Sequence, residues 1–234
     1  MKIVVLGPFH AGKSTFVKQF CGETAMSLDK MGRDGLATTV AMDFGVKEFE
    51  DIKLFVFGTP GMSHFSTIRE ILSNGADGIV FIIDAADPSK DKEVGEIWAE
   101  ARKYVGNVPI VVLANKQDLP NSRSTTELRN TFEFLKKCKI IETSTKNKTH
   151  LDQAMHELLK RSLDKVLPLI SKLNKYHGQM KSFDQLSNDL GVTKIELKKY
   201  LRFLEVRELI HVDYFLEMLW LSPTIKQIVD KLKQ

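Results

Sequence analysis

Only two cysteines, Cys21 and Cys138, occur in 234 residues. They are too few for a disulfide framework and too isolated for a cysteine-rich metal site, which points to a reducing, cytoplasmic setting. Long apolar runs are missing too: no stretch reaches the roughly 18 residues of a membrane-spanning helix. Met1-Lys2 fits neither an acylation motif nor a signal peptide, and Lys231-Leu232-Lys233-Gln234 lacks a prenylation cysteine. Membrane contact is therefore expected only through a partner or an exposed apolar surface. An excess of one charge is also scarce: 34 basic residues against 30 acidic ones give a net +4, too mild to announce a nucleic-acid binder. Core-forming material is plentiful. With 43% hydrophobic and 27% charged residues the chain reads as globular, and its length favours two domains.

The apolar run Lys2-Ile3-Val4-Val5-Leu6 leads straight into Gly7-Pro8-Phe9-His10-Ala11-Gly12-Lys13-Ser14-Thr15. A buried strand followed by GxxxxGK[S/T] and a helix is a phosphate-cradling loop, which places a nucleoside triphosphate on the protein. Gly7, His10, Ala11, Gly12, Lys13, Ser14 and Thr15 are the expected contacts. Backbone N–H groups would face the phosphates, Lys13 would reach the terminal ones, and the Ser14 hydroxyl suits Mg²⁺. Asn115-Lys116-Gln117-Asp118 follows another apolar strand. The Asp118 carboxylate can accept two hydrogen bonds from the guanine ring and its amine, a pattern adenine cannot offer, with the Lys116 stem along the base. That selects GTP over ATP. Ser144, Thr145 and Lys146 follow the last strand and would support the base from its other side.

Strand-like runs near Lys2–Leu6, Met42–Phe49, Lys53–Phe57, Gly78–Asp84, Pro109–Asn115 and Lys139–Thr143 alternate with helical periods that begin near Lys13, Ser66, Asp91, Thr125 and Leu151. This rhythm is a doubly wound α/β sheet, whose ligands sit at the carboxyl ends of the strands. The loops after Leu6, Phe57, Asn115 and Thr143 should share one cleft. Gly22–Thr39, with three glycines and no period, reads as one long irregular loop. After about Lys165 no further buried parallel strand appears, and Pro168 interrupts a helical pattern, so the domains are placed at 1–165 and 166–234. Helix-start signatures at Ser182/Gln185, Thr193/Glu196 and Thr224/Gln227, a turn at Gly191-Val192, and strand-like runs at Leu209–Asp213 and Met218–Leu221 predict a mainly helical, winged-helix-like second domain.

Residues 1–165 resemble the Ras superfamily of small GTPases. GPFHAGKST looks like its phosphate loop, Thr39–Gly45 (TVAMDFG) resembles a first-switch pattern of Rab-like members, Gly58–Gly61 (GTPG) resembles the second-switch DxxG, and NKQD and TSTK match the base motifs. The resemblance implies GTP and GDP as ligands and Mg²⁺ as cofactor. It makes Thr39 the switch threonine that joins Ser14 on the metal, with Thr38 next in line if the register slips by one. Gly61 would donate its N–H to the γ-phosphate, so that losing the phosphate releases both switches. Lys13, Thr39 and Gly61 are then the groups that serve hydrolysis.

Three departures qualify the chemistry. Gly58 replaces the acidic residue of DxxG, leaving Asp84 or Asp43 as candidate substitutes. Met62 stands where most members carry the glutamine that orients water, with His64 two residues on. Phe9 adds bulk to the phosphate loop, enough to block an arginine supplied by an activating protein. Slow hydrolysis follows, because phosphoryl transfer depends on positioning and charge stabilisation. Arg33 is an internal arginine-finger candidate, outweighed by a solvated loop arginine.

Residues 165–234 hold 12 basic and 8 acidic residues, so the whole excess of +4 lies there. Lys194, Lys198 and Arg202, with Lys199 beside them, form a short basic stripe. Glu196, Glu205, Asp213 and Glu217 offset it, which favours protein partners over nucleic acid. Effectors and regulators are expected at Gly22–Thr39, Thr59–Ser66 and the carboxy-terminal domain. A GTP-responsive nucleic-acid binder and a non-hydrolysing scaffold remain the competing readings.

Overall fold

The structure, a computed structural model, describes residues 1–28, 42–50, 52–61, 65–164, 167–223 and 225–227. Two compact units divide the chain: Lys2–Lys47 with Leu54–Ser162, and Met1 with Glu48–Lys53 and Leu163–Gln234.

In order along the chain come β1 (Lys2–Leu6), α1 (Lys13–Cys21), β2 (Met26–Leu28), β3 (Met42–Phe49), β4 (Ile52–Gly58), α2 (Ser66–Ser73), β5 (Gly78–Asp84) and α3 (Asp91–Val105). Then follow β6 (Ile110–Asn115), α4 (Thr125–Thr131), β7 (Lys139–Glu142) and α5 (Leu151–Leu163). One seven-stranded sheet has the order β2-β3-β4-β1-β5-β6-β7. β1 pairs in parallel with β4 and β5, and β6 does so with β5 and β7. Strands covered on both faces need apolar residues along their length, which is why β5 and β6 run without charge up to their polar last residues, Asp84 and Asn115, and are buried throughout. On one face Val4, Leu6, Phe81 and Val112 pack with Val94, Ile97 and Trp98 of α3. There the Trp98 ring meets Phe81 edge-on at 5.1 Å. On the other face, a side chain at Gly78 would run into Leu158 of α5 within 3.1 Å, so the glycine lets that helix lie close.

Gly22–Thr39 is not one irregular loop. Gly22–Thr24 forms a 3-10 turn, and β2 pairs antiparallel with β3, placing Ser27 opposite Asp43. Three residues are too few for an alternation to register in sequence; the neighbouring strand supplies the order. Residues 29–41, which include Arg33, Thr38 and Thr39, lie outside the described residues.

The second unit carries α6 (Leu167–Asn174), α7 (Phe183–Leu190), α8 (Lys194–Glu205) and the hairpin β8 (Ile210–Asp213) with β9 (Met218–Leu221). Pro168 stands in the first turn of α6, where a missing N–H costs nothing, so it opens a helix instead of interrupting one. The Ser182 hydroxyl accepts from the Gln185 N–H, and Thr193 with Glu196 forms a full capping box. Gly191 ends α7 in the left-handed conformation at φ 68°. The last helical turn is capped by Ser222, whose hydroxyl accepts from the Ile225 N–H; Thr224 lies outside the described residues. Leu197, Leu201 and Leu204 of α8 are wholly buried.

Candidate nucleotide site

Gly12 stands at the amino end of α1 with φ 106° and offers no side chain to cap it. The first N–H groups of that helix, those of Lys13, Ser14 and Thr15, are thus left to an outside acceptor, and the helix dipole favours an anion there. A Cβ on Gly12 would come within 2.4 Å of the Asn115 amide, so only glycine fits beneath the base loop. Ser14 and Thr15 are exposed, whereas Lys13 is buried. Its ammonium donates to the Pro8 carbonyl at 2.5 Å. Burial first, then the charge of Arg69, pushes its pKa down to about 7. Phe9, His10, Ser14, Thr15 and Gly61 are among the residues lining a cavity of about 200 Å³ here.

Asn115 joins this loop to the base loops and is itself fully buried. Its Nδ2 donates to Ala11 O at 2.8 Å and to Thr145 Oγ1 at 3.1 Å, while its Oδ1 accepts from the Thr145 N–H at 2.9 Å. Gln117 N donates to Thr143 O at 3.1 Å, holding the NKQD turn against the loop after β7. The Ser144 hydroxyl donates to Asp118 at 2.6 Å. That bond holds the Asp118 pKa below the usual carboxylate value and fixes the carboxylate in place as an acceptor. Lys146 lies 4.0 Å from the same carboxylate. Lys116 is ion-paired with Asp84 at 2.5 Å, which fixes its stem and engages the Asp84 carboxylate.

The Gly58-Thr59-Pro60-Gly61 turn closes the third side. Thr59 donates to Val5 O through both N–H and hydroxyl. A Cβ at Gly61 would meet Phe9 N at 2.5 Å and Lys13 Nζ at 2.6 Å, so the turn lies directly on the phosphate loop. A Cβ at Gly58 would stand 3.0 Å from Asp43 Oδ2, placing the Asp43 carboxylate where a side chain at 58 would begin. Asp43 is buried, accepts from the Ser27 hydroxyl, and acts on the charge of Lys13.

Arg69 of α2 was not singled out from the sequence, because an arginine on an amphipathic helix reads as solvated. Here it is 1% exposed. It donates to Glu100 of α3 through Nε at 2.9 Å and through a terminal nitrogen at 2.6 Å, and to Pro60 O at 3.2 Å. It ties the GTPG turn to the helix layer. Of the other expected site residues, Thr39, Met62 and His64 lie outside the described residues.

A mostly parallel sheet whose strand ends bring the GxxxxGKST loop, the NKQD turn and a glycine turn together is the arrangement of a P-loop GTP-binding domain. The Ras family profile matches residues 2–164, and the chain belongs to the Ras family of small GTPases. The chain is similar to the GTP-binding protein YPTM2 of Zea mays, 29% identical over 159 residues, or 65% of this chain and 75% of that protein. It is similar to the Ras-related protein Rab-1 of Theileria parva, 29% identical over 200 residues, or 82% and 87%. The Ras-related protein RABC1 of Arabidopsis thaliana is 26% identical over 172 residues, or 70% and 77%.

Proposed function

We propose that this protein is a molecular switch that binds GTP with Mg²⁺, hydrolyses it slowly to GDP and phosphate, and exchanges protein partners as it does so. The observation that supports this most is the Asn115 brace, which holds phosphate loop and base loops as one site. The residues present fit a magnesium ion. Among the described residues no cluster of three or more His, Cys, Asp or Glu makes a dedicated metal cage. An exposed Ser14 hydroxyl and a nearby carboxylate suit a cation that leans on phosphate oxygens and its own waters. Ser14 and Thr39 would hold it. Asp43 takes the part of the acid missing at Gly58, since it faces that position while Asp84 is occupied by Lys116. Bound there, the ion would neutralise charge developing on the phosphates.

Slow turnover follows from Met62, whose thioether cannot orient water. Gly61 and Lys13, in contact range of each other, are the groups through which a γ-phosphate would pull the second switch onto the phosphate loop. The carboxy-terminal unit, whose described residues include α6, α7, α8 and a hairpin, reads as a winged helix for protein partners. Lys194 of its basic stripe is paired with Asp184 at 2.8 Å, and the hairpin turn is flanked by Asp213 and Glu217.

Single-turnover phosphate release from GTP tests the reading. Slow release is expected with the wild type and none with Lys13→Ala; equal rates would leave a scaffold that holds GTP without cleaving it. Duplex DNA titrated at two salt concentrations should show no salt-sensitive binding.

A further inference from the structure

The hairpin turn of the second unit displays an aromatic residue to solvent on an ordered support. Phe215 is 94% exposed, flanked by Tyr214 and Leu216 at 46% and 41%. The Asp213 carboxylate accepts from the N–H groups of both Phe215 and Leu216 at 2.9 Å. The Tyr214 hydroxyl donates to Glu205, and its ring meets Phe183 edge-on at 5.8 Å. A large apolar side chain held out by a fixed turn loses little entropy on insertion into a pocket, which is what a binding anchor needs. Acidic Asp213 and Glu217 border it, so the tip would be repelled by an anionic lipid surface or a nucleic-acid backbone.

The same unit carries a surface of opposite character. Leu169, Leu190, Val192, Tyr200 and Phe203 line an apolar groove of about 380 Å³, together with Lys172. The Arg207 guanidinium lies over the Phe203 ring at 3.6 Å. Tyr200 and Phe203, though large and aromatic, remain 43% and 41% exposed. The groove therefore offers two half-exposed aromatic rings with Lys172 in its lining and the Arg207 charge over one of those rings, and its volume accommodates a phenylalanine with a neighbouring leucine. Its own tip does not fill it, since Phe215 stands almost wholly in solvent.

We propose that the carboxy-terminal unit binds a second copy of this chain, the Tyr214-Phe215-Leu216 tip of each copy seating in the Leu169–Phe203 groove of the other. Apolar fit and charge agree: an acidic-bordered aromatic tip meets an aromatic groove that carries Lys172 and Arg207. Each surface is thus the complement of one on the same molecule; exchange of both contacts between two copies gives a closed twofold dimer, whereas one contact per pair would propagate a chain. The inference does not rest on the nucleotide reading.

Sedimentation equilibrium of the full chain, from about 1 to 200 μM, tests it across the range of transient interfaces. The wild-type mass should double from 26.6 kDa as concentration rises, and association should weaken as salt screens the Lys172 and Arg207 charges. Phe215→Asp and Tyr200→Glu each alter a solvent-facing side chain, so both should fold, as circular dichroism can check, and each alone should stay monomeric. Mixed, they retain one intact tip and one intact groove and should form a heterodimer weaker than the wild-type pair. A wild type that is monomeric throughout, either variant associating as the wild type does, or a mixture that stays monomeric at the highest concentration overturns the proposal.

Discussion

Lys13 is a cation kept where water is scarce, and this gives it a measurable signature. Its pKa is about 7 in the folded protein against 10.5 for the free side chain. Between those values the unfolded chain holds a proton that the folded one has released. The Lys13 contribution therefore stabilises the nucleotide-free protein progressively as pH rises from 7 toward 10, and its destabilising cost is complete below 7. Phosphate reverses the preference, because it attracts the charged form. Calorimetry of GDP binding at pH 8, in buffers of unlike ionisation enthalpy, should show uptake of about one proton; no uptake would mean that Lys13 is already charged in the free protein. Asp118 makes a second prediction. Two charge-assisted hydrogen bonds to guanine are worth about 1.5–3 kcal/mol each, so Asp118→Ala should lower GDP affinity at least about 100-fold in a competition assay. Ser144→Ala, which removes only a hydrogen bond that positions the carboxylate, should cost far less. That these residues stand in loops directly after buried strands was legible in the sequence, because the spacing that places them is local. Asp43 and Asp84 stood level as candidates in the sequence, since the closeness of Asp43 to Gly58 depends on how two neighbouring strands align side by side.

At the scale of elements, α2 and α3 are joined to the glycine turn by one buried guanidinium. Removing one partner of a buried ion pair costs more than the pair contributes, because the remaining charge keeps its desolvation penalty. Glu100→Ala should therefore destabilise the protein by about 3 kcal/mol, read from the urea midpoint at unchanged slope. A shift below about 0.5 kcal/mol would show that solvent, which reaches the partly exposed Glu100 side chain, already carries its charge. The strands and helices of the sheet were readable from their periods and motif anchors, while β2 was not. Three residues hold no period, and their order comes from pairing with β3 and the Ser27 bond to Asp43. Arg69 was invisible for a related reason: nothing local distinguishes a buried arginine from a solvated one until the carboxylate opposite is known.

For the whole molecule, charge is divided as unevenly as function. The balanced first 164 residues house the nucleotide site, and the net +4 lies in the remainder. A ligand that binds only the folded state stabilises it by mass action, so GDP at about 100 times its dissociation constant should add roughly 2.7 kcal/mol. Thermal unfolding followed by tryptophan fluorescence should shift upward accordingly, since Trp98 packs in the sheet core. ADP at the same concentration should leave the transition in place, and an equal shift with ADP would contradict the guanine assignment.

Asn115 gives these scales a common consequence. One buried amide grips the loop under the phosphates with its nitrogen and the loop under the base with both of its polar atoms. The two loops are thus coupled through one side chain, and on the proposed reading a bound nucleotide would leave in one cooperative opening instead of peeling away from either end. For a switch of the kind proposed, that amide would act as a single mechanical latch, and a partner that drew Thr145 away from it would shorten the bound state without touching the phosphates.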